Sequence, residues 1–402
     1  MKLFLDVVLF SLVTSIYGQP NSIIIGRTDS IYSTQLSEYR KILVHIPQDN
    51  PDDFSPYQKY PVIYVFDGDM QFFLSVVTVT ELLSGGGGNY MYPKMIVVGI
   101  VNTDRTRDLT PTHATSAPGM PDFLLKNSGG GEKFADFLEK ELIPHIEKVY
   151  PAAPYRVIIG HSLGGLTAVN FMLKHRGVFN SYVAIDPSMH WDNQKLLKES
   201  AVILNENNYA NASLYLAISN TLGKGQSLQT VMKDSSAQTL PIRSELEFER
   251  ILDQNKKNNL NFKVKYYSDY DHGSIPLVAM YDALPFLFSF YPINFPFGDF
   301  FNPSYKNDSI LINHYREVSK RMNYQVKAPG DFVDALAHQL LDSKKFDRAY
   351  KFFKLNLDNF KESFKSYESM GNFYKAKGDT ATAAGYYNKA LKLKKIKIHN
   401  RN

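Results

Sequence analysis

The sequence predicts an α/β fold, with a doubly wound, mostly parallel sheet followed by a small all-α domain. Three observations carry that prediction. Continuous β-branched runs recur along the first three quarters of the chain, as expected of strands covered on both faces. Segments of helical spacing separate them. From about Lys320 the strand-like runs cease and only helical patterns remain.

The elements follow in order. After Gln19, IIIGRTDSIYSTQLSEYRKILVHIP contains two β-like runs, the second alternating Lys41, Leu43, His45 against Ile42, Val44, Ile46, which reads as an opening pair of strands. YPVIYVF, ending at Asp67-Gly68-Asp69, and MIVVGIVN are continuous apolar strands, and Phe72 to Leu83 between them has helical spacing that stops at the glycine run Gly85 to Gly88. Lys133 to Tyr150 reads as an amphipathic helix, then the strand RVIIG and the helix LTAVNFMLKHR. Strands follow at SYVAID, ASLYLAI and FKVKYYS, with Glu245 to Asn258 as an intervening helix. Strands alternating with helices imply the doubly wound sheet.

In the tail, Ala349, Phe353 and Leu357 recur as Ala383, Tyr387 and Leu391, an offset of 34 residues. The segment resembles a tetratricopeptide pair, with Gly371, Tyr374 and Ala390 at that repeat's small and aromatic positions. Two repeats are fewer than stand alone, so the tail is expected to pack on the preceding domain, either as a plain helical cap or with a peptide or protein partner. The predicted organisation is a signal peptide over residues 1–18, an α/β domain over 19–295, a linker over 296–325 and a tetratricopeptide-like domain over 326–402.

Composition bounds the function. The 402 residues are 44% hydrophobic and 21% charged, an ordinary globular balance. A net charge of +5, spread along the chain, argues against nucleic acid. Residues 1–18, MKLFLDVVLFSLVTSIYG, have the form of a secretory signal peptide cleaved near Gly18, with Asp6 as its one discordant residue, and predict export to a periplasm or medium. The apolar stretch is short for a membrane span. The chain has no cysteine, so disulfides and thiolate metal sites are excluded. Asn-x-Ser/Thr sites at Asn211 and Asn307 are too common a pattern to signal glycosylation.

The sharpest chemical signal is Gly160-His161-Ser162-Leu163-Gly164, placed between a strand and a helix. The glycines permit a strained turn that lifts the Ser162 hydroxyl above the sheet, and the Leu163 N–H at the helix start can donate to an oxyanion. This is the context of an α/β-hydrolase nucleophile. A hydroxyl nucleophile needs a base, and chain order puts the histidine last, on the loop leaving the final strand; His272 has that placement. His161 is expected to point elsewhere on the turn, and His113, His175 and His338 read as surface or core residues.

The orienting acid is less determined. No carboxylate directly follows LYLAI, where Ser219-Asn220-Thr221 stand. Asp234, in the following loop, is the first choice; Glu245 at a helix start and Asp186 after SYVAI are alternatives, each with an ordinary structural reading as a helix-terminal charge or a turn. A second oxyanion donor is expected from the N–H of Gly68 or Asp69. The predicted chemistry is acyl transfer through an acyl-enzyme, without metal or cofactor.

Taken together, YPVIYVFDGD, VVGIVNTDRTRDLTPT, GHSLGG, AIDPSMHWDN and KYYSDYDHGSIP resemble the putative-esterase family of α/β hydrolases, which includes siderophore trilactone esterases, feruloyl and acetyl-xylan esterases and formylglutathione hydrolase. The resemblance spans about residues 20 to 295 and implies Ser162 and His272 as nucleophile and base, with an oxyanion donor at Asp67-Gly68-Asp69. Relatives often carry an acid where this chain has Asn220, which displaces that role to Asp234 or leaves a dyad. They also often have paired tryptophans where this chain has His190-Trp191, so Trp191 is expected on the substrate pocket wall or, as the chain's only tryptophan, in the core. Arg107 and Asp108 match the family's Arg-and-Asp segment and are expected to brace the site rather than bind an anion. The resemblance implies a small-molecule siderophore-type ester first and a feruloyl or acetyl group on a glycan second. An inert hydrolase-fold scaffold whose tail binds a partner is the competing class.

Overall fold

A computed structural model describes residues 23–47, 54, 58–85, 90–117, 121–293 and 307–399. The predicted signal peptide, most of the glycine run and part of the predicted linker lie outside them.

Eight strands form one sheet: β1 (Arg27–Ser33), β2 (Glu38–His45), β3 (Tyr60–Val65), β4 (Ile96–Ile100), β5 (Ala152–His161), β6 (Ser181–Ile185), β7 (Ser213–Ser219) and β8 (Asn261–Tyr267), in the order β1-β2-β4-β3-β5-β6-β7-β8. The opening pair joins antiparallel, and β4 through β8 are parallel. β3 and β4 are parallel neighbours joined through the helix Met70–Leu83, the crossover that a parallel pair requires. Consecutive residues of each central strand enter opposite cores, as a period of two requires. Val62, Tyr64 and Phe66 face one side and Ile63 and Val65 the other.

The first core is closed by the helices at Gly131–Val149, Leu163–Lys174, Trp191–Glu206 and Leu240–Gln254. The predicted helix at Lys133–Tyr150 is interrupted by a π-helical turn over Leu138–Leu142, just before Pro144, whose missing N–H a continuous helix could not use. The second core gathers Met70–Leu83, Ile275–Leu287 and the C-terminal helices.

That tail comprises helices at Asn307–Met322, Gly330–Asp342, Phe346–Asn359, Phe364–Ala376 and Thr380–His399. The starts of the last four repeat the 34-residue offset, Gly330 with Phe364 and Phe346 with Thr380. Gly371 has a packing reason to be small: a Cβ there would come within 2.6 Å of the Tyr387 ring. Leu311, Tyr315, Val318 and Met322 enter the same core as Leu284 and Phe288, so the tail completes one face of the sheet. His314 Nε2 meets the Tyr291 carbonyl at 2.8 Å, and the Tyr291 and Tyr315 rings meet edge to face.

A cavity of about 610 Å³, lined by Tyr60, Tyr90, Tyr291, Tyr324 and Phe360 among others, opens between this tail and the N-terminal end of β3. The conserved chemistry of a parallel sheet lies at the opposite, carboxyl ends of the strands. Cavity volume is therefore no guide to the site of this molecule.

Candidate active site

Three loops at the carboxyl ends of β5, β6 and β8 build the site. After β5, Ser162 takes φ 59°, ψ −116° and the helix Leu163–Lys174 starts at the next residue. Positive φ on a residue with a Cβ is costly and persists only where the surroundings over-determine it. Here the Ser162 N–H donates to the Ile185 carbonyl (3.0 Å), while its own carbonyl accepts from the N–H groups of Leu166 (3.0 Å) and Ser188 (3.1 Å). Gly160 is obligatory, because a Cβ would overlap the Gly164 carbonyl. The Leu163 N–H lies in the first helical turn, where N–H groups have no intrahelical acceptor and the dipole favours an anion.

After β6, Asp186 also takes positive φ (45°), which turns its side chain toward the ends of β7 and β8. Its Oδ1 accepts from the Ser219 N–H (2.7 Å), and its Oδ2 accepts from the Ser219 hydroxyl (2.7 Å) and from His272 Nδ1 (2.5 Å). Burial alone would raise this carboxyl, but the donors from His272 and Ser219 outweigh it and hold the group below the usual carboxylate range. Asp186 is buried and the His272 imidazole half-exposed. One face of the imidazole is thus open to a substrate while its Nδ1 is fixed.

Asn220 explains its own presence where an acid was expected. Its N–H donates to the Tyr270 carbonyl (2.8 Å) and its amide to that of Ser268 (2.7 Å), pinning the loop that carries His272.

Asp234, the first choice from sequence, is not brought to His272. It caps its own loop, accepting from Gln226 Nε2 (3.0 Å) and from the Ser236 N–H (2.7 Å) and hydroxyl (3.1 Å). The geometry brings Asp186 there instead, an alternative that the sequence places behind Asp234 because the contact depends on the Asp186 backbone angle. Glu245, the other alternative, lies buried behind Asp186.

The expected second oxyanion donors are both engaged. The Gly68 N–H donates to the Ile100 carbonyl (2.8 Å) and the Asp69 N–H to that of Asp67 (2.7 Å). Leu163 alone of the predicted donors stands at an open helix terminus. Trp191 is 3% exposed and its Nε1 donates to the Thr112 carbonyl (2.9 Å), so it is a core residue and not a pocket wall.

His161 was expected to point away, yet its ring lies 4.4 Å from that of His272, with Phe72 stacked at 6.0 Å. Burial, then the nearby His272, lowers His161 to about 4, so it flanks the candidate base as a neutral ring. The Ser162 hydroxyl pairs with the Ser188 hydroxyl at 3.3 Å, a residue no sequence motif marked.

Bracing is divided between two ion clusters. Asp108, fully buried, accepts from Arg40 Nη1 (2.5 Å) and Arg107 Nε (2.7 Å), and Arg107 also donates to Glu38. Arg105, which sequence reading passed over, grips Asp67 bidentately (2.6 and 2.8 Å) and reaches the His161 carbonyl (3.4 Å). The turn after β3 is thereby tied to the turn bearing Ser162.

A strained Ser turn over a parallel sheet, with a carboxylate-paired histidine at the last strand, defines the class of serine α/β hydrolases. The chain belongs to the esterase family: residues 33–276 match its sequence profile, described as "Putative esterase". It is 33% identical over 196 residues to a ferri-bacillibactin esterase of Bacillus subtilis, spanning 46% of this chain and 66% of that protein. It is 26% identical over 265 residues to a siderophore enterobactin esterase of Emericella nidulans, covering 56% and 81% respectively. An IroE-like serine hydrolase from Shewanella oneidensis superposes with a TM-score of 0.68 at 27% identity, covering 83% of this chain and 99% of that structure. Among the described residues no helix is long and apolar enough to cross a membrane.

Proposed function

We propose that this esterase-family hydrolase cleaves the carboxylic esters of a siderophore-type scaffold through a Ser162–His272–Asp186 acyl-enzyme mechanism. The observation that carries the mechanism is the fixed pair of Asp186 Oδ2 and His272 Nδ1, opposite the serine turn. His272 takes the Ser162 proton as the hydroxyl oxygen attacks the ester carbonyl. The oxyanion is held by the Leu163 N–H and the start of its helix. His272 then returns the proton to the leaving alkoxide, and water, activated by the same imidazole, releases the acid. In the resting geometry Ser162 is paired with Ser188, so the Ser162–His272 contact forms on substrate binding, as apo sites commonly require.

The half-exposed imidazole describes an open site, suited to a bulky ester that docks against a surface. The siderophore esters named for the relatives in Bacillus subtilis and Emericella nidulans are of that kind. The tail enters this reading as a wall of the second core rather than as a peptide receptor, and export after cleavage near Gly18 completes it.

The test is hydrolysis of trilactone-siderophore, feruloyl and p-nitrophenyl esters by the chain, with Ser162→Ala and His272→Ala alongside. Trilactone turnover ahead of feruloyl is expected, with losses in kcat of about 10³-fold or more for both variants. Turnover that survives Ser162→Ala overturns the mechanism, and preference for feruloyl esters overturns the substrate class.

A further inference from the structure

The turn after β6 delivers two side chains to the site. Asp186 goes to His272, and Ser188, two residues on, goes to the serine turn. Backbone contacts fix that second delivery. The Ser188 N–H donates to the Ser162 carbonyl (3.1 Å), the Ser188 carbonyl accepts from the Trp191 N–H (2.9 Å), and the Ser162 N–H donates back to the Ile185 carbonyl (3.0 Å). Gly165 makes the approach possible, since a Cβ there would stand 3.0 Å from both the Ile185 carbonyl oxygen and the Pro187 Cα. One side-chain torsion of Ser188 is then left to place its hydroxyl, which lies 3.3 Å from Ser162 Oγ.

Ser188 is 7% exposed, and among the described residues its hydroxyl has Ser162 Oγ as its one hydrogen-bond partner. A buried hydroxyl without a partner is costly, so the pairing has a physical reason. It is also weak, because an O–H···O bond is ordinarily about 2.7–2.8 Å long. Acylation ends it. Once Ser162 Oγ is bonded to the acyl carbon it has no proton to give and is a poorer acceptor. The same step creates an oxyanion two bonds from Oγ, and a charged oxygen is the stronger acceptor.

The site needs a donor there. An elbow of this kind holds the oxyanion with the N–H after the nucleophile and with a second donor. Leu163 supplies the first, while the N–H groups of Gly68 and Asp69, expected as the second, are engaged by the carbonyls of Ile100 and Asp67. We propose that the Ser188 hydroxyl is the second oxyanion donor, exchanging its bond to Ser162 Oγ for one to the developing charge. Its proton stays on Ser188 throughout. Ser188 is thereby a catalytic residue, and the proposal rests on the hydrolase reading of the site.

A simple latch would have the opposite sign. If Ser188 did no more than hold the resting Ser162 hydroxyl away from His272, its removal would free the nucleophile and speed acylation. An oxyanion donor acts on the transition state, so its removal slows acylation and leaves ground-state binding nearly unchanged.

Ser188→Ala is expected to slow the labelling of Ser162 by a fluorophosphonate, and to lower kcat on a p-nitrophenyl ester, by about 10²-fold. KM should stay within about threefold of the wild type. Affinity for a trifluoromethyl ketone, which Ser162 captures as a tetrahedral adduct, should fall by a factor similar to that in kcat. Labelling of the Ala variant at the wild-type rate or faster overturns the proposal, as does a rise in KM with kcat unchanged. If the Ala variant does not fold, Ser188→Cys, close in size and with only a weak S–H donor, is read in its place. A wild type neither labelled at Ser162 nor active on the ester overturns the hydrolase reading and the proposal with it, whereas a labelled wild type beside an equally labelled Ala variant overturns the proposal alone.

Discussion

Asp186 and Asp234 offer the same functional group on successive stretches of chain, and the fold treats them oppositely. Asp186 stands at the end of β6 with φ 45°, buried, its two oxygens shared among Ser219 and His272. Asp234 sits in the loop between β7 and the helix Leu240–Gln254, partly exposed at the surface, its oxygens occupied by Gln226 and Ser236. One is desolvated and aimed by a strained backbone. The other satisfies the turn it stands in. A carboxylate orients a histidine only where the fold makes that histidine its best available donor, and proximity in sequence to the right strand does not create this condition.

Asp186→Asn gives the largest expected effect and tests the contrast most directly. The amide keeps the shape but removes the negative charge that stabilises the imidazolium, and it favours the wrong His272 tautomer. Steady-state kinetics on a p-nitrophenyl ester should show kcat lower by about 10³- to 10⁴-fold. A loss under about tenfold would mean that the site works as a Ser162–His272 dyad and that Asp186 is a structural group.

A third carboxyl, that of the buried Glu245, sharpens the comparison through stability. Glu245 has its folded-state value raised, so between the ordinary glutamate range and that raised value the unfolded chain releases a proton that the folded chain retains. Stability from this group therefore falls as pH rises through that window. Asp186 is lowered, so its contribution is present above the unfolded value and is lost as pH falls through the folded one. Urea midpoints measured from about pH 5 to about pH 9 should decline for the wild type relative to Glu245→Gln, with a differential slope of at most about 1.4 kcal/mol per pH unit. Parallel curves would show that the buried carboxyl does not retain its proton.

The same contrast explains what was legible beforehand. Strands and elbow could be read because each rests on a local rule: continuous apolar runs for strands covered twice, and Gly160 and Gly164 around a serine for the turn. The histidine followed from chain order. The sequence ranks Asp234 ahead of Asp186 as the acid, because the contact of Asp186 with His272 depends on one backbone angle and on the parallel alignment of β6, β7 and β8. Gly68 and Asp69 failed as free donors for a related reason, since the close approach of β4 gives the Gly68 N–H a carbonyl partner at Ile100. The sequence leaves Trp191 between pocket wall and core, because burial of a lone aromatic has no sequence period. The helix Trp191–Glu206 went unread because it opens in a left-handed turn over Asp192 to Gln194, where helical spacing has not yet begun.

The smallest expected effect belongs to Asp234, and its smallness is informative. The carboxylate lies in a surface loop, and its partners Gln226 and Ser236 are only partly buried, so its neutralisation leaves no fully buried partner unmatched. Asn retains an acceptor oxygen for the Ser236 N–H, the shortest of its three contacts. Asp234→Asn is thus expected to leave kcat/KM within about twofold and the urea midpoint close to that of the wild type, measured by the same assay and by urea denaturation. A loss approaching that of Asp186→Asn would require the loop of residues 220–239 to swing toward His272 when substrate binds. The acid would then be recruited in the reacting state, and the resting pair of Asp186 and His272 would be the conformation that the substrate displaces.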